Sequence, residues 1–190
     1  PITFVATANT AMQLGAKIDF IDINPKTLNI CPEILEDKLR EAKQVGRLPD
    51  IVSAVHFGGN PCDMDPIHTL SQKYGFRVIE DASHAFGASY NGVPIGGDKR
   101  SLASVFSFHP VKMITTGEGG ALIVGTEEMW QKANIIRSHG VNSFSDERNK
   151  LDKCPWYYEQ TEIGYNYRMT EMQAAMGAVQ ISRLPYFVDK

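Results

Sequence analysis

The chain has 190 residues, 43% of them hydrophobic and 22% charged, with a formal net charge of −3. That is enough for a sizeable core, and there is no basic excess or arginine-rich run of the kind that tracks a nucleic-acid backbone. No apolar run approaches the length of a membrane span, no signal-peptide pattern opens the sequence, and the three scattered cysteines (Cys31, Cys62, Cys154) suit a reducing cytosol rather than a disulfide framework or a zinc site.

Residues 1–5 read as extended and apolar, and residues 6–14 as a short helix closed by Gly15 in a left-handed conformation. Residues 17–23 alternate as a strand. Pro32 sits at a first helical position and starts a helix with Ile34, Leu35, Leu39 and Ala42 on one face, ending near Gly46. Residues 51–57 form the next predicted strand, broken by Gly58-Gly59-Asn60-Pro61. Asp65-Pro66 opens a helix that runs to Tyr74-Gly75, and residues 76–80 are again a strand. Strands alternating with helices of this length predict an α/β fold with a mostly parallel sheet covered by helices.

Val105, Phe106 and Phe108 make a short apolar run that reads as a buried strand, stopped by Pro110, so that Lys112 emerges on a loop just past its end. A second strand is expected over residues 121–124. Thr126 then leads into a helix over residues 127–139 capped by Gly140. Residues 142–162 are polar and turn-rich around Trp156-Tyr157-Tyr158 and predict a long loop. Thr170-Glu171-Met172-Gln173 is a capping box, and Met172, Ala175, Met176 and Val179 form the apolar stripe of the helix it begins. The chain opens on Pro1 and stops at Lys190 within a helical pattern, which predicts a fragment.

In an α/β sheet, ligands bind beyond the carboxyl ends of the strands. Asp81 stands at the end of one predicted strand and Lys112 just beyond another, so neighbouring parallel strands bring both to one crevice. An ion pair is one outcome of that meeting. A cofactor lying between them is the other. A lysine set between two buried strands has its pKa lowered by burial, and the neutral amine is the nucleophile of Schiff-base chemistry. Pyridoxal 5'-phosphate fits the pair, because its carbonyl bonds a lysine and its ring nitrogen takes an acidic partner.

Four stretches extend this reading: Pro1-Ile2-Thr3-Phe4-Val5-Ala6-Thr7, Glu80-Asp81-Ala82-Ser83-His84, Phe106-Ser107-Phe108-His109-Pro110-Val111-Lys112 and Gly164-Tyr165-Asn166-Tyr167-Arg168-Met169-Thr170. In this order they resemble the DegT/DnrJ/EryC1/StrS sugar aminotransferases, which are fold-type I pyridoxal-phosphate enzymes. The resemblance implies that Lys112 is the Schiff-base lysine and Asp81 the partner of the pyridine nitrogen. It further implies that His84 bonds the phenolic oxygen of the cofactor, Ser107 binds its phosphate and Phe4 stacks on its ring. Read from the residues alone, Phe4 is a core residue and Ser107 faces the far side of the sheet. Asn166 matches a residue that reaches the phosphate of the neighbouring subunit, which implies a homodimer with composite sites.

Within the family, Thr115-Thr116-Gly117-Glu118-Gly119-Gly120 and Pro155-Trp156-Tyr157-Tyr158-Glu159-Gln160 are most similar to the transaminases of pseudaminic acid biosynthesis. The implied reaction moves an amino group from L-glutamate to C4 of a nucleotide-linked 4-keto-6-deoxy sugar, UDP-linked by preference, in the cytoplasm. A dTDP- or GDP-linked substrate and a non-catalytic pyridoxal-phosphate-binding regulator are the alternatives. A sugar dehydratase on the same scaffold is disfavoured by Lys112, because that branch carries histidine there. On this resemblance residues 1–190 are the central part of the large cofactor-binding domain, with an upstream phosphate-wrapping segment and a smaller C-terminal domain absent. Gly117-x-Gly119-Gly120 precedes a strand rather than a helix and is no dinucleotide fingerprint, while His56, Cys62, Asp63 and Asp65 have the wrong spacing for a closed metal site. His109 and His139 receive no role.

Overall fold

Alternation along two short strands sets the core. A computed structural model of the chain describes residues 2–142 and 156–190. In it, β1 (Ile51–Val55) buries Val52 and Ala54, and β2 (Arg77–Asp81) buries Val78 and Glu80. Upstream lie α1 (Ala6–Gln13) and α2 (Pro32–Gln44). Between the two strands runs α3 (Met64–Tyr74), which ends on Gly75 at φ 83°, a left-handed position that glycine adopts without a Cβ clash. Leu35 and Leu39 of α2 and Ile67 and Leu70 of α3 pack onto the buried side of β1 and β2. Each such side chain contributes about 1.5–3 kcal/mol of hydrophobic stabilisation.

A two-residue hairpin, β3 (Ser89–Tyr90) with β4 (Val93–Pro94), precedes β5 (Ala103–Ser107) and β6 (Gly120–Val124). The main sheet runs β1-β2-β5-β6, with β1, β2 and β5 parallel and β6 antiparallel to β5. Its register pairs Val55 with Asp81 and Asp81 with Val105, so the three parallel strands finish along one edge. A second core gathers at that edge, where Phe86 packs edge-to-face on Phe106 and Phe108 with ring centroids 5.1 and 5.6 Å apart. The remaining elements are α4 (Glu127–Arg137), a short pair β7 (Val141–Asn142) with β8 (Glu159–Gln160), α5 (Glu171–Ser182) and α6 (Leu184–Val188). Thr126 caps α4 by accepting from Met129 N–H, and the capping box at Thr170 and Gln173 is formed. Among the described residues no helix is long and apolar enough to cross a membrane.

Five expectations are corrected. Residues 17–23 form no strand, because among the described residues their ladder partner is a single bridge, Ile23 to Ile30. The strand after the lysine loop is not buried: Leu122 and Ile123 point to opposite faces of β6 and are each nearly half exposed. The apolar stripe of α5 faces outward, with Met172, Met176 and Val179 exposed. The helix docks instead through Gly177, which is buried and where a Cβ would lie 3.0 Å from Thr116, and through Gln173, which donates to the Glu118 carbonyl at 3.0 Å. Periodicity locates a stripe but not its direction. Ile34 likewise points to solvent from the otherwise buried face of α2. The predicted loop over 142–162 is in part the β7–β8 pair, and its residues 143–155 lie outside the described residues, Cys154 among them.

Glu80 is buried with a charge to satisfy. His56 Nδ1 accepts from Cys62 N–H at 3.0 Å, which leaves the proton on Nε2 to be donated to the Glu80 carboxylate at 2.9 Å. Ser104 Oγ donates to the other carboxylate oxygen at 3.2 Å. Burial pushes the Glu80 pKa up, but the hydrogen bonds from His56, Ser101 and Ser104 together outweigh it and hold the carboxyl below its ordinary range. Cys62, at the other side of His56, is a thiol whose pKa burial pushes up to about 12. A carboxyl with a lowered folded pKa contributes stability that is present above its unfolded pKa and lost as pH falls through the folded value. His56→Ala leaves that buried carboxylate with only its serine donors at neutral pH, and denaturant unfolding should show a loss of about 3 kcal/mol. The deficit should shrink as pH falls through the carboxylate range, where the less well-partnered Glu80 protonates; a deficit independent of pH would contradict this reading.

Candidate active site

Because side chains alternate along β2, Asp81 faces away from the Glu80 side and sits at the strand's carboxyl end. The ladder continues past the strands on both sides of it: His56 N–H donates to the Asp81 carbonyl at 3.1 Å, and Ala82 N–H to the Val105 carbonyl at 2.9 Å. Its carboxylate accepts from Thr7 Oγ1 at 2.7 Å on one oxygen and from Ser83 N–H at 3.2 Å on the other. Each oxygen keeps a free lone pair for a third donor.

Lys112 stands on the loop between β5 and β6, and both ends of that loop are tied to Phe108. The Phe108 carbonyl accepts from Thr116 N–H and from Thr115 Oγ1, both at 3.0 Å, and Phe108 N–H donates to the Gly119 carbonyl at 2.8 Å. Ile114 and Thr116 are buried beneath the loop. Lys112 itself is half-buried, with its N–H donated to the His109 carbonyl at 3.0 Å. The anchored loop thus presents one amine just beyond β5. At the end of that strand, Ser107 Oγ accepts from His109 N–H at 3.3 Å and keeps its own hydrogen free to donate.

His84 lies close enough to both groups to respond to their charges. Burial, and then the Lys112 ammonium, push its pKa below the ordinary imidazole value, against the smaller opposing pull of Asp81. Gly58 N–H donates to His84 Nδ1 at 3.3 Å, so the neutral ring carries its proton on Nε2. That contact depends on a glycine turn at the end of β1. Gly58 and Gly59 have φ of 60° and 84°, and a Cβ on Gly59 would lie 2.9 Å from the His84 carbonyl oxygen. Phe57 supports the imidazole edge-on, with centroids 6.0 Å apart.

The structure therefore gathers Asp81, His84, Lys112 and Ser107 at the carboxyl ends of β2 and β5. Phe4 is 73% exposed, so the residue-only reading of it as core is wrong. It lies three residues before Thr7, whose hydroxyl rests on Asp81. Asn166 is exposed and bridges to Ser138 after α4; no described hydrogen bond or ion pair joins it to Asp81, His84 or Lys112. Thr7, Ser83 and Gly58 are contacts that sequence reasoning missed. A hydroxyl meeting a carboxylate 74 positions away leaves no local signal, although Thr7 lies inside a motif already singled out.

A family model described as the DegT/DnrJ/EryC1/StrS aminotransferase family matches residues 1–190. The chain belongs to this family. Among its curated relatives, the UDP-4-amino-4,6-dideoxy-N-acetyl-beta-L-altrosamine transaminase of Campylobacter jejuni subsp. jejuni serotype O:2 is 41% identical over 191 residues, covering 100% of this chain and 46% of that protein. Among solved structures, Helicobacter pylori PseC, an aminotransferase involved in the biosynthesis of pseudoaminic acid, aligns with a TM-score of 0.83 at 32% identity over 97% of this chain and 45% of that one. The PMP form of a putative sugar aminotransferase from Streptococcus pneumoniae aligns with a TM-score of 0.80 at 25% identity, over 97% of this chain and 49% of that one. The chain thus spans about half the length of the family members it matches, and it shares with these aminotransferases the mainly parallel α/β architecture expected from the sequence.

In this family member, the protonation of His84 reports its distance from Lys112. In NMR titration of the cofactor-free protein, His84 should titrate below an ordinary imidazole and show the Nε2–H tautomer. Lys112→Met removes a nearby cation and should move that pKa upward. An unchanged titration in Lys112→Met would mean that the two side chains do not share the crevice.

Proposed function

We propose that the complete protein is a pyridoxal 5'-phosphate-dependent aminotransferase that moves the amino group of L-glutamate to C4 of a nucleotide-linked 4-keto-6-deoxy sugar. The preferred substrate is a UDP-linked sugar of the pseudaminic acid route, and the protein works in the cytoplasm as a homodimer. In this reading the chain is the central part of the large cofactor-binding domain. The observation that carries the proposal is the convergence of Asp81, His84 and Lys112 beyond two neighbouring parallel strands, within motifs that match the family. The UDP-linked substrate is supported by the name of the Campylobacter relative at 41% identity.

The donor set suits the cofactor: an amine, a carboxylate with free lone pairs, a neutral imidazole with a free Nε2–H, a serine hydroxyl and an exposed aromatic ring. Pyridoxal 5'-phosphate supplies a carbonyl that takes up the amino group and a protonated ring that draws electrons from a breaking Cα–H bond. Lys112 would supply the amine that bonds that carbonyl and, when free, would move a proton between the donor carbon and C4′. Asp81 would hold the proton on the ring nitrogen. His84 Nε2–H would donate to the phenolic oxygen, Phe4 would stack on the ring, and Ser107 would donate to the phosphate. Asn166 would reach the phosphate held by the neighbouring subunit, which would make each site composite.

Borohydride reduction of the protein with its cofactor should fix a pyridoxyl label on Lys112, and peptide mapping that found it on another lysine would sink the assignment. Asp81→Asn should melt as the parent does and lose on the order of a hundredfold or more in kcat, the scale for removing a preorganised charge interaction. With glutamate as donor, a panel of UDP-, dTDP- and GDP-linked 4-keto-6-deoxy sugars should favour the UDP-linked members. Preference for a dTDP- or GDP-linked sugar would overturn the substrate, and transfer to none of them would overturn the reaction.

A further inference from the structure

Phe4 and Asp81 come from opposite ends of the described N-terminal half, yet on the proposed reading both address the same heterocycle, one by stacking and one by charge. Nothing in α1 is buried, so hydrophobic packing does not fix where that helix sits. Among the described residues, one side-chain hydrogen bond joins it to the sheet: Thr7 Oγ1 to Asp81 Oδ2 at 2.7 Å. Thr7 is itself tied back to the segment that carries the ring, because its N–H donates to the Phe4 carbonyl at 3.3 Å and its hydroxyl oxygen lies 3.1 Å from that of Thr3.

We infer that Thr7 is a positioning residue for the cofactor ring: its hydroxyl fixes the rotation of the Asp81 carboxylate and, through the same bond, the distance between that carboxylate and the ring of Phe4. Two donors on a carboxylate, Thr7 on Oδ2 and Ser83 N–H on Oδ1, define its plane. The remaining lone pairs then point into the crevice in a fixed direction, which is what a flat heterocycle with one N–H requires. Without the Thr7 hydroxyl, Asp81 keeps its charge but loses its orientation, and α1 loses its bond to the sheet. The inference rests on the pyridoxal-phosphate reading of the site.

The test compares Thr7→Val, which keeps the shape and removes the donor, with Thr7→Ser, which keeps the donor. In the complete protein, cofactor dissociation is measured by absorbance, melting is followed without cofactor, and kcat and KM for glutamate are determined. Thr7→Val should hold the cofactor on the order of tenfold or more weakly, the range for a hydrogen bond to a charged group. It should also lower kcat while melting normally without cofactor, and Thr7→Ser should restore both affinity and kcat. If Thr7 sets the position of Phe4, losses in affinity from Thr7→Val and Phe4→Leu will not add, and the double variant will bind about as weakly as the worse single one. Wild-type affinity in Thr7→Val overturns the inference. So does a loss that Thr7→Ser does not restore and that follows the cofactor-free melting temperature, because that marks a mere strut. If the parent itself takes no borohydride-fixed label at Lys112, the functional reading fails and this inference fails with it, an outcome visible before any Thr7 variant is made.

Discussion

The parallel register of β2 between β1 and β5 is the constraint on which the rest depends. Pairing Val55 with Asp81 and Asp81 with Val105 ends three strands on one edge, and the ladder bonds from His56 and Ala82 hold the backbone of Asp81 and its neighbour on both sides. With the strand ends fixed, the loop after β5 has one place to go, and Phe108, Ile114 and Thr116 pin it there. Lys112 is then delivered to the neighbourhood of Asp81 and His84 by backbone geometry, before any side-chain attraction acts. A register slip of one residue would exchange the faces of Glu80 and Asp81 and dismantle both core and site together.

Glu80 and Asp81 show how strand alternation divides labour between adjacent carboxylates. Glu80 turns into the core, where His56 and Ser104 satisfy it and hold its pKa down. Asp81 turns to the opposite face with one donor on each oxygen and room for another. The first stabilises the strand end and the second is left open to a further donor. The glycine turn at Gly58-Gly59 serves the same edge, since it brings a backbone N–H to His84 Nδ1 and so selects which ring nitrogen is free to donate.

Much of this was readable in the sequence, and the reason is local. Asp81 and Lys112 stand just past apolar runs ended by turn formers, and position beyond a parallel strand is enough to predict a shared crevice. The capping box at Thr170 and the left-handed Gly15 after α1 were equally local signals. Wherever a neighbour decides the outcome, the sequence was silent. Residues 17–23 alternate as a strand does but have one bridge for a partner. The stripe on α5 has helical periodicity, yet the helix docks through Gly177, where a Cβ would crowd the Thr116 methyl at 3.0 Å. Phe4 read as core by composition and is exposed, and the bond that fixes its segment connects residues 74 positions apart.

If Asp81 and Lys112 meet one heterocycle from two strand ends, the 15N chemical shift of ring-labelled pyridoxal 5'-phosphate bound to the complete protein and to its Asp81→Asn variant will show it. The ring nitrogen should be protonated at neutral pH in the parent and unprotonated in Asp81→Asn, with the cofactor bonded to Lys112 in both. The same nitrogen shift in the two proteins would contradict it, because the carboxylate at the end of β2 would then not face the ring.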